Sequence, residues 1–477
     1  MNNSSLDPLF KPSSIVVIGA SERKGSVGRA IMENLLGIDS KRKFHGKIYA
    51  VNIKGGTVFG LKCYRSVLEI DDKIDLAVIA IPAPSVPKVL DECGAKGVKG
   101  AIVISAGFSE VGEEGRKLEE ELLKVARKWG IRVIGPNCLG IYSPVNNLDT
   151  IFNPSDRQGK PELGNIAFLS QSGALGAAFL DYCAKENLGL SYFVSYGNAA
   201  DVDESDLLLY LSEDPHTKVI CMYLEGVKNG RKFVRVASEV SLKKPIIIFK
   251  SGKTRYGEKA AKSHTGALSG NAKIFEAVAK KCGIILVDTI EELFEVAKAF
   301  SKIDLPMGKE IAIVTNGGGA GVIAADAVEE YGLVLKEFPE NIKAALRKIL
   351  PPHASVENPV DILGDAPVER YEKVIRVVLD AKPDAIIVIA LLQSPAIDHL
   401  KFVRILTSIK METNIPLLAV LPGGSLVLEI SKQLEKHNIP VYSTPEKAVK
   451  VLMYMNKYAT WQREKKKRIL VHPIARK

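Results

Sequence analysis

The stretch IAFLSQSGALGAA, residues 166–178, indicates how this chain folds. An apolar run ends in a short polar turn, Ser-Gln-Ser-Gly, and an alanine-rich segment follows it. This order predicts a buried strand, a tight turn and a helix, which is the repeating unit of parallel α/β sheets. The stretch IAIVTNGGGAGV, residues 311–322, has the same design. We therefore predict an α/β fold in which strands and helices alternate along the chain.

Both turns have the chemistry of an anion site. The first N–H groups of a helix lack partners within the helix, and the helix dipole favours a negative charge beside them. Glycine lets the backbone approach a phosphate closely. The alternative is an ordinary strand-to-helix turn in which Ser or Asn caps the helix. The candidate phosphate-binding residues are Ser170, Gln171, Ser172 and Gly173 in the first turn, and Asn316, Gly317, Gly318 and Gly319 in the second.

Two further residues are candidates for catalysis. His264 lies in a loop of small residues, KSHTGALSG, after the apolar run 245–249. A neutral imidazole is nucleophilic, and with a pKa of about 6.5 much of it is neutral at pH 7. Glu225 ends the apolar run 219–224, at a strand edge where open α/β sheets bind ligands. Glu225 could accept the N–H of His264 and leave its other nitrogen free to attack. The alternatives are a structural histidine and a solvated glutamate.

Six motifs occur in order over nearly the whole length of the chain. They are Gly19-Ala20-Ser21 through Gly28, GPNCLG at 135–140, SQSGA at 170–174, YLEG at 223–226, SHTGAL at 263–268 and NGGGAG at 316–321. Taken in this order, they give a family resemblance: the chain resembles the α subunit of ADP-forming acyl-CoA synthetases (acetate–CoA ligase, ADP-forming), members of the succinyl-CoA synthetase superfamily. The resemblance implies that His264 is phosphorylated, that Glu225 steadies it, and that the helices opening at Ser172 and Asn316 hold the phosphate.

The expected domain organisation follows from the strand pattern and from this resemblance. We expect a Rossmann-like CoA-binding domain at 1–145 and, after a polar linker, a flavodoxin-like ligase domain at 160–300 that carries His264. A second flavodoxin-like domain of the succinyl-CoA-synthetase type is expected at 308–460, and a basic tail at 461–477.

The first strand-to-helix turn is the candidate coenzyme loop. It departs from G-x-G-x-x-G, because its second glycine comes six residues after the first. This looser loop suits a nucleotide-bearing coenzyme other than NAD, and the resemblance implies CoA. The alternative for each candidate is ordinary loop chemistry. The candidates lie in this loop or after later strands, and they are Gly19, Ser21, Lys24, Gly25, Asn52, Lys54, Pro82, Ser105, Gly107 and Asn137.

Composition narrows the classes of partner. The 477 residues carry a formal net charge of +10, which attracts polyanions, but no nucleic-acid motif accompanies it. No apolar run approaches the roughly 20 residues of a membrane span. The six cysteines form no C-x-x-C pair, which favours reduced thiols over a disulfide scaffold or a metal site. We therefore expect a cytoplasmic protein that binds no nucleic acid, membrane or metal of its own.

The expected reaction converts acyl-CoA, ADP and phosphate into a carboxylic acid, ATP and CoA, through an acyl phosphate and a phosphohistidine. The resemblance implies that an ATP-grasp domain binds the nucleotide with Mg²⁺, but the sequence shows neither a P-loop nor a convincing set of lysines and acids for such a domain. A separate ATP-grasp β subunit is therefore expected to supply ADP/ATP and Mg²⁺, and the family implies an α2β2 complex. The alternatives are a succinyl-CoA-synthetase-like α subunit and a non-catalytic CoA-binding regulatory protein. Acetate is the default acid, and branched or aryl acids remain open.

Overall fold

The computed structural model describes residues 3–38, 42–257, 259 and 272–471. The chain divides into two compact units, of which the first ends at Thr289 and the second begins at Ile290. Two mainly parallel sheets lie in the first unit and one parallel sheet lies in the second. The predicted α/β fold is confirmed.

The first sheet is built around a fully buried central strand, β1, whose five residues are Ser14–Ile18. Its strands are β1 Ser14–Ile18, β2 Lys47–Val51, β3 Gly56–Val58, β4 Leu61–Tyr64, β5 Leu76–Ile79, β6 Gly100–Val103 and β7 Arg132–Ile134. The strand order is β3-β4-β2-β1-β5-β6-β7, and only the β3–β4 pair is antiparallel. Its helices are α1 Asp7–Phe10, α2 Val27–Leu36, α3 Val86–Ala95 and α4 Glu113–Trp129, with 3₁₀ turns at Asn3–Leu6, Val67–Glu69, Ala83–Ser85 and Ser109–Val111.

The second sheet has a parallel centre and an antiparallel edge. Its strands are β8 Gly140–Ser143, β9 Leu148–Asp149, β10 Leu163–Ser170, β11 Leu190–Ser195, β12 Val219–Leu224, β13 Ile246–Lys250 and β14 Ile285–Val287. The strand order is β14-β13-β12-β10-β11-β8-β9. Its helices are α5 Gly173–Lys185, α6 Glu204–Glu213, α7 Gly230–Val240 and α8 Ala272–Cys282. The carboxyl ends of β10 and β12 are adjacent, which brings Ser170 beside Tyr223.

The antiparallel edge differs from the sequence prediction. The expected linker between the first two domains contains strand β9, and β8 falls in the range predicted for the first domain. β8 pairs with β11, so that Gly140 lies opposite Ser195. A pairing between residues so far apart in sequence leaves no local pattern, and the short strands resemble loop sequence.

The first unit is held together by both apolar and ionic contacts. One cluster of buried apolar side chains includes Ile15 of the first sheet and Met222 of the second. Arg132 of β7 also pairs with Asp201, with 2.9 Å between Nε and Oδ2. The two sheets of this unit therefore share a core, and the loops at their edges are fixed relative to each other.

Glu204, at the start of α6, is a buried acid that should make stability depend on pH. It is 1% exposed, and its Oε1 has no hydrogen-bond partner among the described residues. Burial, and then the charge of Asp203, raise the pKa of Glu204 to about 7. The unfolded chain loses this proton at lower pH, so the free energy of unfolding should fall as pH rises from about 4.5 to about 7.

We therefore expect Glu204→Gln to stabilise the protein above pH 7 by on the order of 3 kcal/mol, and to change little below pH 4. Chemical denaturation at both pH values measures this difference. The exposed Glu213→Gln serves as control, because the pKa of Glu213 is lowered by its hydrogen bond with Lys243. Equal effects of Glu204→Gln at pH 4 and pH 8 would contradict the explanation.

The second unit contains a third sheet with strand order β16-β15-β18-β19-β20, and β17 also pairs with β15. Its strands are β15 Glu310–Thr315, β16 Val334–Leu335, β17 Val360–Asp361, β18 Ala385–Ile389, β19 Leu417–Val420 and β20 Val441–Tyr442. Its helices are α9 Ile290–Lys302, α10 Gly318–Glu330, α11 Glu340–Arg347, α12 Val368–Asp380, α13 His399–Glu412, α14 Ser425–Lys436 and α15 Pro445–Val471.

Two segments at the borders of the predicted domains belong to this unit. Most of helix α9 falls in the range 160–300, but α9 contacts α14, where Lys298 Nζ lies 2.8 Å from Glu435 Oε1. The described part of the expected basic tail is the end of helix α15. The three predicted domain ranges stay predictions. Within the described residues, no helix combines the length and the apolar composition needed to cross a membrane.

Candidate functional site

A cleft of about 1870 Å³ opens in the first unit, where loops of both its sheets meet. Loops after β1, β2, β5 and β6 line one part of it, and the turns after β10 and β12 line another. This places the candidate coenzyme loop, the first candidate phosphate turn and Glu225 on the same continuous surface. The candidate residues that line the cleft are Gly19, Ser21, Asn52, Lys54, Pro82, Ser105, Asn137, Gln171, Ser172, Gly173 and Glu225.

The coenzyme loop has the tight geometry of a phosphate cradle. Gly19 has a φ of +97°, and a Cβ at Gly28 would lie 1.9 Å from the Gly19 carbonyl oxygen. Only glycine therefore lets α2 start this close to the end of β1. The side chain of Ser26 makes no capping hydrogen bond, and the Arg29 N–H donates to the Ser26 carbonyl at 3.2 Å, so Val27 and Gly28 carry the N–H groups that a ligand can use.

Side chains around this loop both shape it and give it positive charge. Asn52 Nδ2 donates to the Ala20 carbonyl at 2.9 Å, which fixes the loop against the end of β2. The cleft is also lined by Arg23, Lys54 and Arg65, which are exposed. Arg23 and Arg65 were not among the sequence candidates, since basic residues on loops are common and carry no distinguishing pattern. The cradle and these cations fit the phosphates of a nucleotide-bearing coenzyme.

Four of the candidates described in the first unit do not line the cleft. Lys24 and Gly25 are exposed beside it. The N–H of Gly107 donates to Glu110 Oε1 at 2.6 Å, so this group is used inside its own loop. Ser170 is fully buried, and its Oγ donates to the Ser172 carbonyl at 2.7 Å. Ser170 thus holds the conformation of the SQSG turn through a buried hydrogen bond.

Asn137 lies in a polar network that the sequence did not reveal. It has a φ of 58°, and its Nδ2 donates to Asn198 Oδ1 at 3.3 Å. Asn198 Nδ2 in turn donates to Glu110 Oε2 at 2.6 Å. Burial opposes ionisation of Glu110, but hydrogen bonds from Asn198 and backbone N–H groups lower its pKa overall. Asn137 and Asn198 both line the cleft, so this network fixes one wall.

The neighbouring Cys138 also lines the cleft but is not a candidate nucleophile. Burial raises the pKa of its thiol to about 12. A thiol with so high a pKa carries almost no thiolate at neutral pH.

Helix α5 begins in the cleft at the SQSG turn. Ser172 caps it, accepting from the Leu175 N–H at 3.4 Å. Gly173 and Ala174, the first helical residues, line the cleft, and N–H groups at this position have no acceptor within the helix.

The side chain of Gln171 binds the main chain at residues 225 and 226. Its Oε1 accepts from the Gly226 N–H at 3.0 Å and from the Glu225 N–H, and its Nε2 donates to the Gly226 carbonyl at 2.9 Å.

Glu225 is held from two sides. Gln171 binds its N–H, and the ammonium of Lys250 donates to its carbonyl oxygen at 2.7 Å. Lys250, the last residue of β13, is 4% exposed, and Glu225 is 8% exposed. Lys250 was not predicted, since a lysine at a strand end usually faces solvent. The buried ammonium fixes the main chain at Glu225, so the carboxylate is held on a rigid support at the cleft surface.

The second candidate phosphate turn lies in the other unit, at the start of α10. Asn316 is buried, and its side chain accepts from the Leu391 N–H at 2.8 Å. The Gly317 N–H donates to Thr315 Oγ1 at 3.0 Å. Both groups are therefore engaged within the protein, and the exposed residues of this helix start are Gly318 and Gly319.

Asp361 also stands at this helix start. Its Oδ1 accepts from the Leu363 N–H at 2.9 Å, as an Asx turn requires. Its Oδ2 would lie 2.9 Å from a Cβ placed on Gly318. A phosphate bound at the start of α10 would lie near the Asp361 carboxylate. Repulsion between the two negative charges opposes the attraction of the phosphate to the helix dipole.

His264, with the flanking glycines of its loop, lies outside the described residues. In the part of the chain that is described, no group of three or more His, Cys, Asp or Glu side chains is placed to hold a metal ion.

Comparison with known families accounts for nearly all of the chain. Residues 13–144 match the "CoA binding domain", residues 163–300 match the "Succinyl-CoA ligase like flavodoxin domain", and residues 311–467 match the "Ligase-CoA domain". The predicted order of a Rossmann-like domain and two ligase-type domains is confirmed.

Individual relatives are similar over the same length. The chain is 43% identical over 470 residues to the α subunit of acetate–CoA ligase [ADP-forming] I of Pyrococcus furiosus, covering 97% of this chain and 100% of the relative. It is 45% identical over 452 residues to acetate–CoA ligase [ADP-forming] of Methanocaldococcus jannaschii, covering 94% of this chain but 62% of that longer chain.

A solved structure gives the same result. The dinucleotide-forming acetyl-coenzyme A synthetase 1 of Ca. Korarchaeum cryptofilum, in complex with phosphate and ADP, superimposes with a TM-score of 0.89 at 40% identity. The match covers 97% of this chain and 99% of that one. The chain therefore belongs to the α subunits of the ADP-forming acetate–CoA ligases, which are acid–thiol ligases of the succinyl-CoA ligase superfamily.

Proposed function

We propose that this chain carries the CoA site and the phosphorylated histidine of its ligase, and that a separate β subunit supplies the nucleotide. The observation that carries the proposal is the single cleft that joins the Gly19–Gly28 loop to Ser172 and Glu225. A reaction that moves an acyl group from CoA to phosphate needs both ends of such a cleft at once.

Acyl-CoA binds with its nucleotide end at the coenzyme loop. Backbone N–H groups at the start of α2 and the side chains of Arg23, Lys54 and Arg65 meet its phosphates. The acyl end then lies toward Ser172. Among the predicted coenzyme residues, Lys24, Gly25 and Gly107 do not line the cleft, and we assign them no contact with CoA.

The first chemical step is attack of phosphate on the thioester carbonyl. A carbon–oxygen bond forms, the carbon–sulfur bond breaks, and CoA leaves as its thiolate. The N–H groups at Gly173 and Ala174 bind the phosphate oxygens during this step. A helix N-terminus contributes about 0.3–1 kcal/mol at an exposed site, and up to about 2 kcal/mol in an enclosed one.

The second step moves the phosphoryl group to His264. A nitrogen–phosphorus bond forms, the bond between phosphorus and the acyl oxygen breaks, and the carboxylate leaves. Glu225 accepts the N–H of the imidazole and stabilises the positive charge that develops on the ring. We retain the start of α10, at Gly318 and Gly319, as a second candidate phosphate cradle.

The nucleotide site is assigned to a partner. The chain matches the whole length of a relative named as an α subunit, but 62% of a relative that is one longer chain. The longer relative therefore has an additional part that this chain lacks a match for, and we propose that a separate β subunit supplies the equivalent part here. We place ADP/ATP and Mg²⁺ on that ATP-grasp subunit, and propose an α2β2 complex. A succinate–CoA ligase [ADP-forming] α subunit of Archaeoglobus fulgidus matches 51% of this chain, and the additional match of residues 311–467 to the Ligase-CoA domain favours the acetate–CoA ligase branch.

The test is ATP formation by purified proteins supplied with acetyl-CoA, ADP, phosphate and Mg²⁺. We expect ATP only when this chain and its β subunit are both present, whereas calorimetry should show CoA binding to this chain alone. ATP formation by this chain alone would contradict the assignment of the nucleotide site. Failure of CoA to bind would contradict the assignment of the cleft.

A further inference from the structure

The acyl group must lie at the end of the cleft nearest Ser172, and this end is lined by apolar side chains. Leu139, Phe152 and Val227 line the cleft with Ala174 and Ala177 of helix α5. A Cβ placed on Gly173 would lie 3.6 Å from Leu139 Cβ, so Leu139 borders the helix start. Val227 follows Glu225 by two residues. This inference rests on the proposed function, which requires the thioester carbonyl to reach the cleft beside Ser172.

Phe152 is the largest of these side chains, and its backbone is fixed. The buried Asn34 of α2 donates through Nδ2 to the carbonyls of Ile151 and Asn153, at 2.6 and 3.0 Å. Asn34 Oδ1 also accepts from Ser155 Oγ at 2.8 Å. One amide thus holds the main chain on both sides of Phe152, which fixes the place from which its side chain enters the cleft.

The same loop is fixed to helix α5. Asn153 Nδ2 donates to Gln158 Oε1 at 2.6 Å, and Gln158 Nε2 donates to the Ala177 carbonyl at 2.7 Å. The distance between the loop that carries Phe152 and the helix that starts at Gly173 is therefore set by hydrogen bonds. The alanines on α5 keep the helix side of the space open, so Phe152 decides how much room remains.

We propose that Leu139, Phe152 and Val227 form the wall of the acyl subsite, and that the rigid Phe152 restricts the enzyme to short, unbranched aliphatic acids. Apolar contact suits a hydrocarbon chain, and none of these three side chains offers a polar group to a hydroxylated or charged acid. An apolar wall excludes a substrate with one extra methylene by roughly 10- to 200-fold.

The test compares kcat/KM for acetyl-CoA, propionyl-CoA, isovaleryl-CoA and phenylacetyl-CoA, using the complex of this chain with its β subunit. The wild type should prefer acetyl-CoA. Phe152→Ala should raise the ratio of isovaleryl-CoA to acetyl-CoA by at least about tenfold. Ala177→Leu should lower the ratio of propionyl-CoA to acetyl-CoA, because it fills the same space from the helix side.

Val89→Ala is the matched control, since Val89 also lines the cleft but is on helix α3 of the first sheet. It should change kcat/KM for all the acyl-CoAs by the same factor. An equal loss for all of them in Phe152→Ala would mean that Phe152 contacts the coenzyme, and would overturn the proposal. A wild-type preference for branched or aryl esters would overturn it too.

The outcomes separate this proposal from the proposed function. A wild-type complex that turns over none of the esters refutes the function itself. A complex that turns over acetyl-CoA but keeps its ratios in both variants refutes only the subsite. If Phe152→Ala does not fold, the ratio measured for Ala177→Leu decides.

Discussion

Replacement of His264 by alanine is expected to abolish ATP formation, with a loss of at least about 10⁴-fold, because removing the nucleophile of a covalent mechanism removes the pathway. The acyl phosphate step does not use the imidazole. The variant should therefore still convert acetyl-CoA and phosphate to acetyl phosphate, and a thiol reagent measures the free CoA that this step releases. Binding of CoA to the cleft should remain.

This combination distinguishes a catalytic histidine from a structural one. A structural histidine would affect CoA binding and acetyl phosphate formation together with ATP formation. His437, which lies at the end of α14 in the second unit, provides a matched control as His437→Ala, with ATP formation near the wild-type rate. Substantial ATP formation by His264→Ala would contradict the mechanism.

Glu225→Gln is expected to lower kcat by about 10²- to 10⁴-fold, by analogy with other carboxylates that orient an imidazole. The glutamine keeps the size of the side chain but loses the charge that stabilises the imidazolium. It can also present an NH₂ group, which would favour the wrong tautomer. The main-chain bonds of residue 225 with Gln171 and Lys250 are unaffected, so the fold and the KM for acetyl-CoA should change little.

Steady-state kinetics of the complex measure this effect, and Glu239→Gln is the control because Glu239 is exposed on helix α7 of the same unit. A second readout is the amount of phosphoenzyme at equilibrium, which should fall in Glu225→Gln. A kcat close to that of the wild type would show that Glu225 does not act on the histidine.

Most of the fold could be predicted because buried parallel strands are continuous apolar runs. The runs at Ser14–Ile18 and Ile246–Lys250 are examples, and both are strands of the predicted kind. Strands β8 and β9 could not be found in this way. They are short, and β8 joins the rest of the sheet by pairing with β11, whose residues are distant in sequence, while β9 pairs with β8.

The candidate site was predictable in place but less so in detail. Strand ends that carry Ser, Asn and Gly can be recognised in the sequence as candidate ligand sites. The sequence does not tell whether the side-chain amide of an Asn or Gln there binds a ligand or the protein backbone. Gln171 and Asn316 both bind backbone in this structure. Lys250 and Asn34 act through buried contacts with other segments, for which the local sequence gives no signal.

The most direct test of the central claim is phosphorylation of the complex with γ-labelled ATP and Mg²⁺, without CoA or acid, so that the label stays on the protein. The account predicts label on this chain that is stable in alkali, labile in acid and absent from His264→Ala. Label that persists on this chain in His264→Ala would show that another group receives the phosphoryl, and would contradict the mechanism.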